Sequence, residues 1–451
     1  MKSVKYTVPI FSFYDRTGIQ LYLEKKAEEG WMLEKMGGFF WKFRHCEPKK
    51  VHFALTYFPK ASMFDPTPSE RQLMFQEFCA HSGWNLVASS AQMQIFCNEQ
   101  ENPTPIETDP KIELENIHAT AKKVYLPAYY MLLPVGVLPW LTIGMSWRND
   151  PISFLSSNIY FFNILTSIIC LTLCVTELTG YFRWKGKAAQ AAEEGEFLPT
   201  HGTRRFQLVL VSLMILCLVA LVFDKSKFRI GTMVAAMIGL FGICFALSVG
   251  ATKLMKRMNV SAAKNRIITF VLIALMSVAT VGLGTIGVIS LMDSLEKEET
   301  NLPTYVFLNR TRTLEQDDIP LKIQDMTKAD PTIYSYEWTY ESESLLLSKH
   351  TAWQRPRLDM LEQPDLTYTI VDVKVPFLYD FCLRQMLEDF DYRGFNWCDP
   401  APWGANEVYG AFVDVGYYDM YILCYDNRII AFECDWELTE DQMAVIGEKL
   451  G

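Results

Sequence analysis

The sequence predicts a multi-domain membrane protein: an α+β N-terminal domain, five transmembrane helices, and a second α+β domain at the C-terminal end. Three observations carry this reading. Five apolar stretches hold no Asp, Glu, Lys or Arg, and each is about 18–26 residues long, where roughly 20 helical residues cross the hydrocarbon core. Strand patterns alternate with amphipathic helix patterns on both sides of that block. The charge is divided too: the chain of 451 residues carries a net −10, with an acidic excess after residue 293 and a basic excess before it. The divisions are 1–97, a folded front domain; 98–123, a linker and the helix leading to the first span; 124–292, the spans; and 293–451, a rear domain.

The front domain contains an internal echo. Gly30-Trp31-Met32-Leu33 closes one helical pattern and Gly83-Trp84-Asn85-Leu86 closes another. A glycine ends a helix in the left-handed conformation, and the tryptophan after it opens a strand and folds over the helix end. The first helix is expected at 16–29, capped by Asp15 or Thr17, with Ile19, Tyr22, Leu23 and Ala27 on one face. The second is expected at 70–82, where Thr67 with Glu70, or Ser69 with Gln72, has capping-box spacing. Strands are expected at 4–11, 31–36, 39–45, 50–58, 84–89 and 92–97; Val51, Phe53, Leu55 and Tyr57 alternate as in a half-buried strand. Two related halves of this kind fit a ferredoxin-like arrangement.

Several of these residues together resemble a known family. The initial strand, Tyr14-Asp15, the helix reading Leu21-Tyr22-Leu23-Glu24, Ala27 followed by Gly30-Trp31 and Leu33, and the second Gly83-Trp84 resemble the membrane-protein family catalogued as domain of unknown function twenty-eight-twelve. The resemblance covers the first quarter of the chain. It implies a bacterial cell-membrane protein with several spans after the domain, encoded beside transcriptional regulators of the PadR type. The family brings no catalytic residue to carry over.

Residues 1–123 hold fifteen acidic and fifteen basic side chains, so this part of the chain has no electrostatic footprint for direct nucleic-acid binding. His45, Cys46, His52, Cys79 and His81 lack the CxxC or HxxxH spacing of a metal site and read as surface residues. Trp31, Trp41 and Trp84 are candidate pocket or partner residues, weighed against the commoner role of strand-start aromatics as core. Residues 98–110 are a polar, proline-containing linker, and Asp109-Pro110 then starts a helix with Asp as cap and Pro in the first turn. That helix runs straight toward the first span, a route by which binding in the front domain is passed to the membrane.

The spans are expected at 124–145, 158–175, 206–223, 230–250 and 267–292. Lys111, Lys122 and Lys123, then Arg183, Lys185, Lys187, Arg204 and Arg205, then Lys253, Lys256, Arg257, Lys264 and Arg266 flank one side. Arg148, Lys225, Lys227, Arg229 and Lys297 flank the other, beside the acidic Asp293, Glu296, Glu298 and Glu299. The positive-inside rule places the N-terminus in the cytoplasm and the C-terminus outside, and no cleaved leader is expected. No charge lies within the spans, which argues against an ion-coupled pump. Ala235 with Gly239, Ala246 with Gly250, and Gly282, Gly284 and Gly287 suggest close helix packing; Pro127, Pro134 and Pro139 are candidate kinks in the first span.

In the rear domain, 367–373 alternates like a strand and 377–390 reads as an amphipathic helix. Asp426-Asn427 is a hairpin turn between 421–425 and 429–434, and Thr439 with Gln442 caps a last helix carrying Met443, Ile446 and Leu450. Cys382, Cys398, Cys424 and Cys434 allow three disulfide connectivities, but a two-residue turn sets Cys424 opposite Ile429, so a 424–434 bridge is not expected. The carboxylate pairs Glu433/Asp435 and Asp389/Asp391 read as solvated acidic surface rather than catalytic pairs.

No phosphate loop, HExxH, GxSxG or Cys/His nucleophile pattern occurs, so no enzyme, cofactor or metal is expected. The expected role is an integral membrane sensor or regulatory interaction protein. Its partners would be the lipid bilayer and a cytosolic protein of the PadR-type regulator class. The alternative is a transporter or export accessory, supported only by hydroxyls such as Thr166, Ser167, Thr172, Thr232, Ser277 and Thr280, which serve helix packing equally well.

Overall fold

A computed structural model of the chain describes residues 3–37, 40–200, 202–222, 228–298, 302–388, 394–411 and 419–451, with backbone alone at 221–222, 228–238 and 287–298. The chain forms two compact units, Met1–Pro139 with Leu165–Gly287, and Trp140–Ile164 with Val288–Gly451.

The first unit begins with a β-α-β-β segment used twice. β1 (Val4–Thr7), α1 (Arg16–Glu28), β2 (Trp31–Met36) and β3 (Trp41–His45) form one, and β4 (His52–Tyr57), α2 (Glu70–His81), β5 (Asn85–Ser90) and β6 (Met93–Asn98) the other. Their sheets have matching orders, β1-β3-β2 and β4-β6-β5, all antiparallel. In each, the strands flanking the helix are parallel to one another and separated by the third, which is a split β-α-β unit. Gly30 and Gly83 end the helices at φ +83° and +84°, a conformation costly to any residue with a Cβ. Asp15 caps α1 through Gly18 N, and Ser69, not Thr67, caps α2 through Gln72 N. The first strand stops at Thr7 rather than at residue 11: Pro9 has no N–H to donate to a ladder. Phe39 lies outside the described residues, and β3 starts at Trp41. The core unites Ile19, Leu23 and Ala27 of α1 with Phe43, Phe53 and Leu55 from both sheets.

The domain leads into the helices without a break. α3 (Pro110–Thr120), capped by Asp109, passes through one π-helical turn, Ala121–Tyr125, into α4 (Leu126–Asn149). After the short α5 (Pro151–Leu155) come α6 (Asn158–Glu193), α7 (Arg204–Val222), α8 (Phe228–Arg257) and α9 (Ala262–Glu298). Among the described residues, four helical stretches are long and apolar enough to cross a membrane: Pro110–Asn149, Asn158–Glu193, Gly239–Arg257 and Ala262–Ile286. Among the described residues, three of the glycines expected to pack closely in the last two helices have open space around them. A Cβ added at Gly239, Gly250 or Gly282 meets nothing within 4 Å, while the side chains of Ala235 and Gly287 fall outside those described. Close packing occurs instead at Gly136, where a Cβ would stand 2.8 Å from Leu171 and whose carbonyl accepts from Ser167 Oγ at 2.5 Å. There a small residue and a hydroxyl bring two helices together. Ser277 and Thr280 bond back to their own helix, at Ile273 O and Met276 O.

The second unit is built on a seven-stranded antiparallel sheet. Its strands are β9 (Tyr334–Glu343), β10 (Leu347–Pro356), β11 (Leu366–Val373), β12 (Asn396–Cys398), β13 (Glu407–Ala411), β14 (Asp419–Cys424) and β15 (Arg428–Cys434), in the order β12-β13-β14-β15-β11-β10-β9. A separate hairpin, β7 (Thr304–Phe307) with β8 (Arg310–Thr313), precedes it. The central strands are covered on both faces. Ile430, Phe432 and Cys434 share a core with Ile446 and Leu450 of α12 (Glu440–Leu450) and Ile323 of α10 (Ile323–Met326). Ile429 and Ala431 point the other way, toward Cys382 and Met386 of α11 (Tyr379–Glu388) and Ile152, Phe154 and Leu155 of α5. Two-sided burial explains why residues 429–432 of β15 are a continuous apolar run. The helix expected at 377–390 starts two residues late, after a 3-10 turn at Pro376–Leu378; Asp389, Phe390 and Asp391 lie outside the described residues. Thr439 and Gln442 form the expected capping box. Cys424 pairs with Ile429 and Cys434 with Asp419, and Cys382, Cys398, Cys424 and Cys434 are all free thiols.

Candidate functional site

The three tryptophans do not converge. Trp41 is buried in the main core and stacks on Phe11. Trp31 is half-buried, edge-on to His45, with Lys5 Nζ 5.5 Å from its ring centroid. Trp84 sits in a smaller cluster with Cys79 and Phe96, and it lines a cavity that neither Trp31 nor Trp41 reaches.

That cavity, about 410 Å³, lies between α1, β4 and the segment 103–113. The segment expected to be a free linker is in fact seated. Trp84 Nε1 donates to Thr104 O at 2.8 Å, and Ile106 packs on the Cys79–Trp84–Phe96 cluster. This holds Glu107 at the cavity, where Glu113 also faces. Arg16 Nη1 is ion-paired with Glu113 Oε2. Glu24 and His52 occupy another part of the wall, 3.8 Å apart, with Glu24 accepting from Phe53 N at 3.3 Å. Burial first, and the charge of Glu113 second, push the Glu107 carboxyl up to about 8, with Arg16 opposing. Thr56, 3% exposed, also lines the cavity, and its Oγ1 has no hydrogen-bond partner among the described residues; native folds leave few buried polar atoms in that state.

A second polar cluster lies where the front domain meets the helices. The second apolar stretch does not end its helix at Val175: α6 continues to Glu193 and so carries Glu177 inward. Glu177 is 1% exposed. Its carboxylate accepts from Ser12 Oγ at 3.0 Å, Tyr125 Oη at 3.1 Å and Thr203 Oγ1 at 2.9 Å, and from Gln207 Nε2. These donors come from the segment before α1, the end of the π turn, the loop before α7, and α7 itself. A buried carboxylate is tolerated when hydrogen bonds replace its water, so the cluster holds those segments to one geometry.

Neighbouring contacts reinforce it. Thr17 N donates to Thr200 Oγ1 at 2.9 Å and Thr200 N to Thr17 Oγ1 at 3.1 Å, which satisfies an N–H at the start of α1 that the helix leaves unpaired. At Gly202 the chain passes so close that a Cβ would stand 1.7 Å from the Asp15 carboxylate. Tyr14 packs its ring against Tyr125, Tyr181 and Trp184, and Tyr57 Oη donates to Phe13 O. Burial, then the charges of Glu177 and Asp15, push the Tyr14 phenol up to about 12, so it stays neutral.

Residues 16–129 match the model of a family described as a protein of unknown function, DUF2812. The matched stretch holds Arg16, Thr56, Trp84, Glu107 and Glu113 of the cavity, and it crosses the π turn to include Tyr125. Ser12, Glu177, Thr203 and Gln207 lie outside it. No curated protein and no solved structure matches the chain.

Sequence reasoning named Trp84, but none of the cavity's other residues, as lining a pocket, and it missed the Glu177 cluster. Glu177 stands two residues past an apolar stretch, and its partners are up to 165 residues away in the chain. The signal for the cavity was Ile106, an apolar residue inside an otherwise polar linker.

Proposed function

We propose that the protein is an integral membrane sensor or regulatory interaction protein, with a front domain that binds a cytosolic partner of the PadR-type transcriptional regulator class. One observation carries the reading: the Glu177 cluster joins Ser12 of the front domain to Tyr125, Thr203 and Gln207 of the helices. A domain hydrogen-bonded in this way passes a change of state to the helices, and they to it. The unbroken α3–α4 path supports the same coupling.

The topology proposed with it has five spans, α7 being the additional one, since it carries no charged residue after Arg205. The basic flanks then put the N-terminus in the cytoplasm and the rear domain outside. A C-terminal reporter active only outside the cytoplasm should give signal; signal only from a cytoplasmic reporter would overturn the topology. In the front domain, the likeness to ferredoxin-like folds is proposed at the level of the split β-α-β unit. The reading assigns no catalysis, cofactor or direct nucleic-acid contact to the chain.

The function is tested by in-cell crosslinking of the full chain, solubilisation, and identification of the captured proteins. Recovery of a PadR-type regulator, reduced when Glu177→Leu uncouples the domain, is the expected result. Capture of no regulator by the wild-type chain would overturn it.

A further inference from the structure

We infer that the second unit docks on the lipid surface through an apolar wedge formed by Leu345 and Phe377, beside the helices that enter the bilayer there. Leu345 is 84% exposed and Phe377 80%. Either alone would be an ordinary surface residue, but the two lie together. Lys374 N donates to Leu346 O at 2.9 Å, and Lys374 Nζ to Ser344 O at 2.7 Å. These bonds set the turn between β9 and β10, which carries Leu345, against the end of β11. Three residues on from Lys374, Phe377 stands in the turn Pro376–Leu378, with Pro376 exposed beside it.

What adjoins the wedge fixes its occupant. The Leu345 turn is bonded to the place where α6 begins: Ser342 Oγ donates to Ser156 O at 3.0 Å, Ser344 Oγ to Leu155 O at 2.6 Å, and Asn158 Nδ2 to Glu343 O at 3.3 Å. On the other side, Phe377 leads into α11, where the Phe381 ring stacks on Trp147 at the end of α4, centroids 5.6 Å apart. Trp147 meets Phe154 edge-on at 5.5 Å, and Phe154 stacks on Tyr160 of α6 at 4.7 Å. Tryptophan and tyrosine at the ends of apolar spans mark the membrane–water boundary, so the wedge stands beside that belt. Leu141, Met145 and Trp147 of α4 are exposed as well. The apolar surface therefore runs from a helix long and apolar enough to cross a membrane, through Trp147 and Phe381, to Phe377. A docked protein would have to share this edge with the acyl chains that cover α4, whereas lipid already lies against it. Lys374, ion-paired with Glu343 at 2.6 Å, borders the patch where headgroups would solvate it.

Leu361 is the contrast. It is 69% exposed and follows the far end of β10. At about 3.3 Å per residue, that strand carries it about 30 Å from the Leu345 turn, so the same apolar exposure there meets water. The inference rests on α4 and α6 spanning the bilayer, and on neither a partner protein nor a choice of leaflet.

The test places a photoreactive benzophenone amino acid at Leu345, Phe377, Leu361 or Leu141 of the full chain. Each protein is held in nanodiscs of phosphatidylethanolamine and phosphatidylglycerol, irradiated, and its lipid adducts measured by mass spectrometry. Labels at Leu345 and Phe377 should form lipid adducts at least about tenfold more than at Leu361, since groups within the headgroup boundary meet acyl chains and groups in water do not. Their yields should approach that at Leu141 within α4. Adducts at Leu141 with none at Leu345 and Phe377 would overturn the inference alone; none at Leu141 would overturn the spanning of α4 and the inference with it. Yields at Leu361 equal to those at Leu345 and Phe377 would overturn it too, as would adducts to a second copy of the chain in place of lipid. Leu345 and Phe377 are both outside the core, so the label leaves the packing unchanged.

Discussion

Tyr125 donates its hydroxyl to Glu177 at 3.1 Å, linking the π turn at the head of α4 to the inner part of α6. The same carboxylate receives Ser12, Thr203 and Gln207, so its removal strands several buried donors together. Glu177→Leu should destabilise the chain by about 3 kcal/mol or more, since each buried group left unsatisfied costs roughly 1–3 kcal/mol. Tyr125→Phe removes one bond and leaves the other donors in place, for about 1 kcal/mol. Denaturant titration of the purified chain in detergent measures both. A Glu177→Leu protein as stable as wild type would remove the basis for coupling.

Asp150 holds a comparable position in the second unit. Its carboxylate accepts from Ser153 N at 2.8 Å, capping α5, and from Lys349 Nζ of β10 at 2.8 Å. Burial works to raise its pKa, but the hydrogen bonds from Lys349 and Ser153 outweigh that and hold the carboxyl below its usual range. A depressed carboxyl stabilises the fold above its unfolded pKa and loses that contribution as pH falls through the folded value. Asp150→Asn should therefore cost about 1 kcal/mol at pH 7, allowing for the carboxylate's partial exposure, and converge with wild type near pH 3. Melting temperatures of the two proteins across pH 3–7 decide it; a constant gap would show that the charge is not the stabilising element.

The sequence was most legible where one residue fixes the local backbone. Gly30, Gly83, Asp15 and Asp109 mark helix ends by their own conformational or capping chemistry, and each stands where expected. The Asp426-Asn427 turn set the register of β14 and β15 through to Cys424 opposite Ile429, because side-chain alternation and turn length leave little choice. Long-range contacts were not legible. The connection between α4 and α6 holds Pro151, Ile152, Phe154 and Leu155, and nothing in five residues says that they pack beneath a sheet formed some 190 residues later, with Ser344 Oγ donating to Leu155 O. Trp84 looked equivalent to Trp31 because both follow a helix-ending glycine. The 98–109 segment covers only the second half of the repeat, and that asymmetry makes Trp84 a buried cavity wall and leaves Trp31 half-buried.

The free thiols of the second unit should react in a set order. Burial pushes Cys382 up to about 11 and Cys424 and Cys434 up to about 12, and all three are fully or almost fully covered. Cys398, also raised by burial, is only partly covered. A thiolate is the reacting species, so native-state maleimide labelling at pH 7.5 should modify Cys398 at least about tenfold faster than the other three. Denaturation without reductant should then expose all four to alkylation, read by mass spectrometry. A peptide carrying a Cys424–Cys434 bridge would contradict the register.

Glu107 gives the stability a pH dependence of the opposite sign to Asp150. Burial and the neighbouring Glu113 raise its carboxyl to about 8 in the fold, against about 4.3 in an unfolded chain. Between those values the folded protein binds a proton that the unfolded chain has lost, so the free energy of unfolding falls as pH rises. The contribution is whole below about pH 4 and gone once pH has passed through about 8. Glu107→Gln mimics the protonated form at every pH and removes the part of the slope that Glu107 contributes beside Glu113, whose carboxyl burial also raises. The variant should match wild type near pH 5 and exceed it at pH 9 by roughly 1–2 kcal/mol, a value below the full shift because solvent reaches the partly buried carboxyl. Denaturant unfolding of the two full chains at pH 5, 7 and 9 makes the comparison. A difference that does not grow with pH would mean that Glu107 is ionised in the native protein.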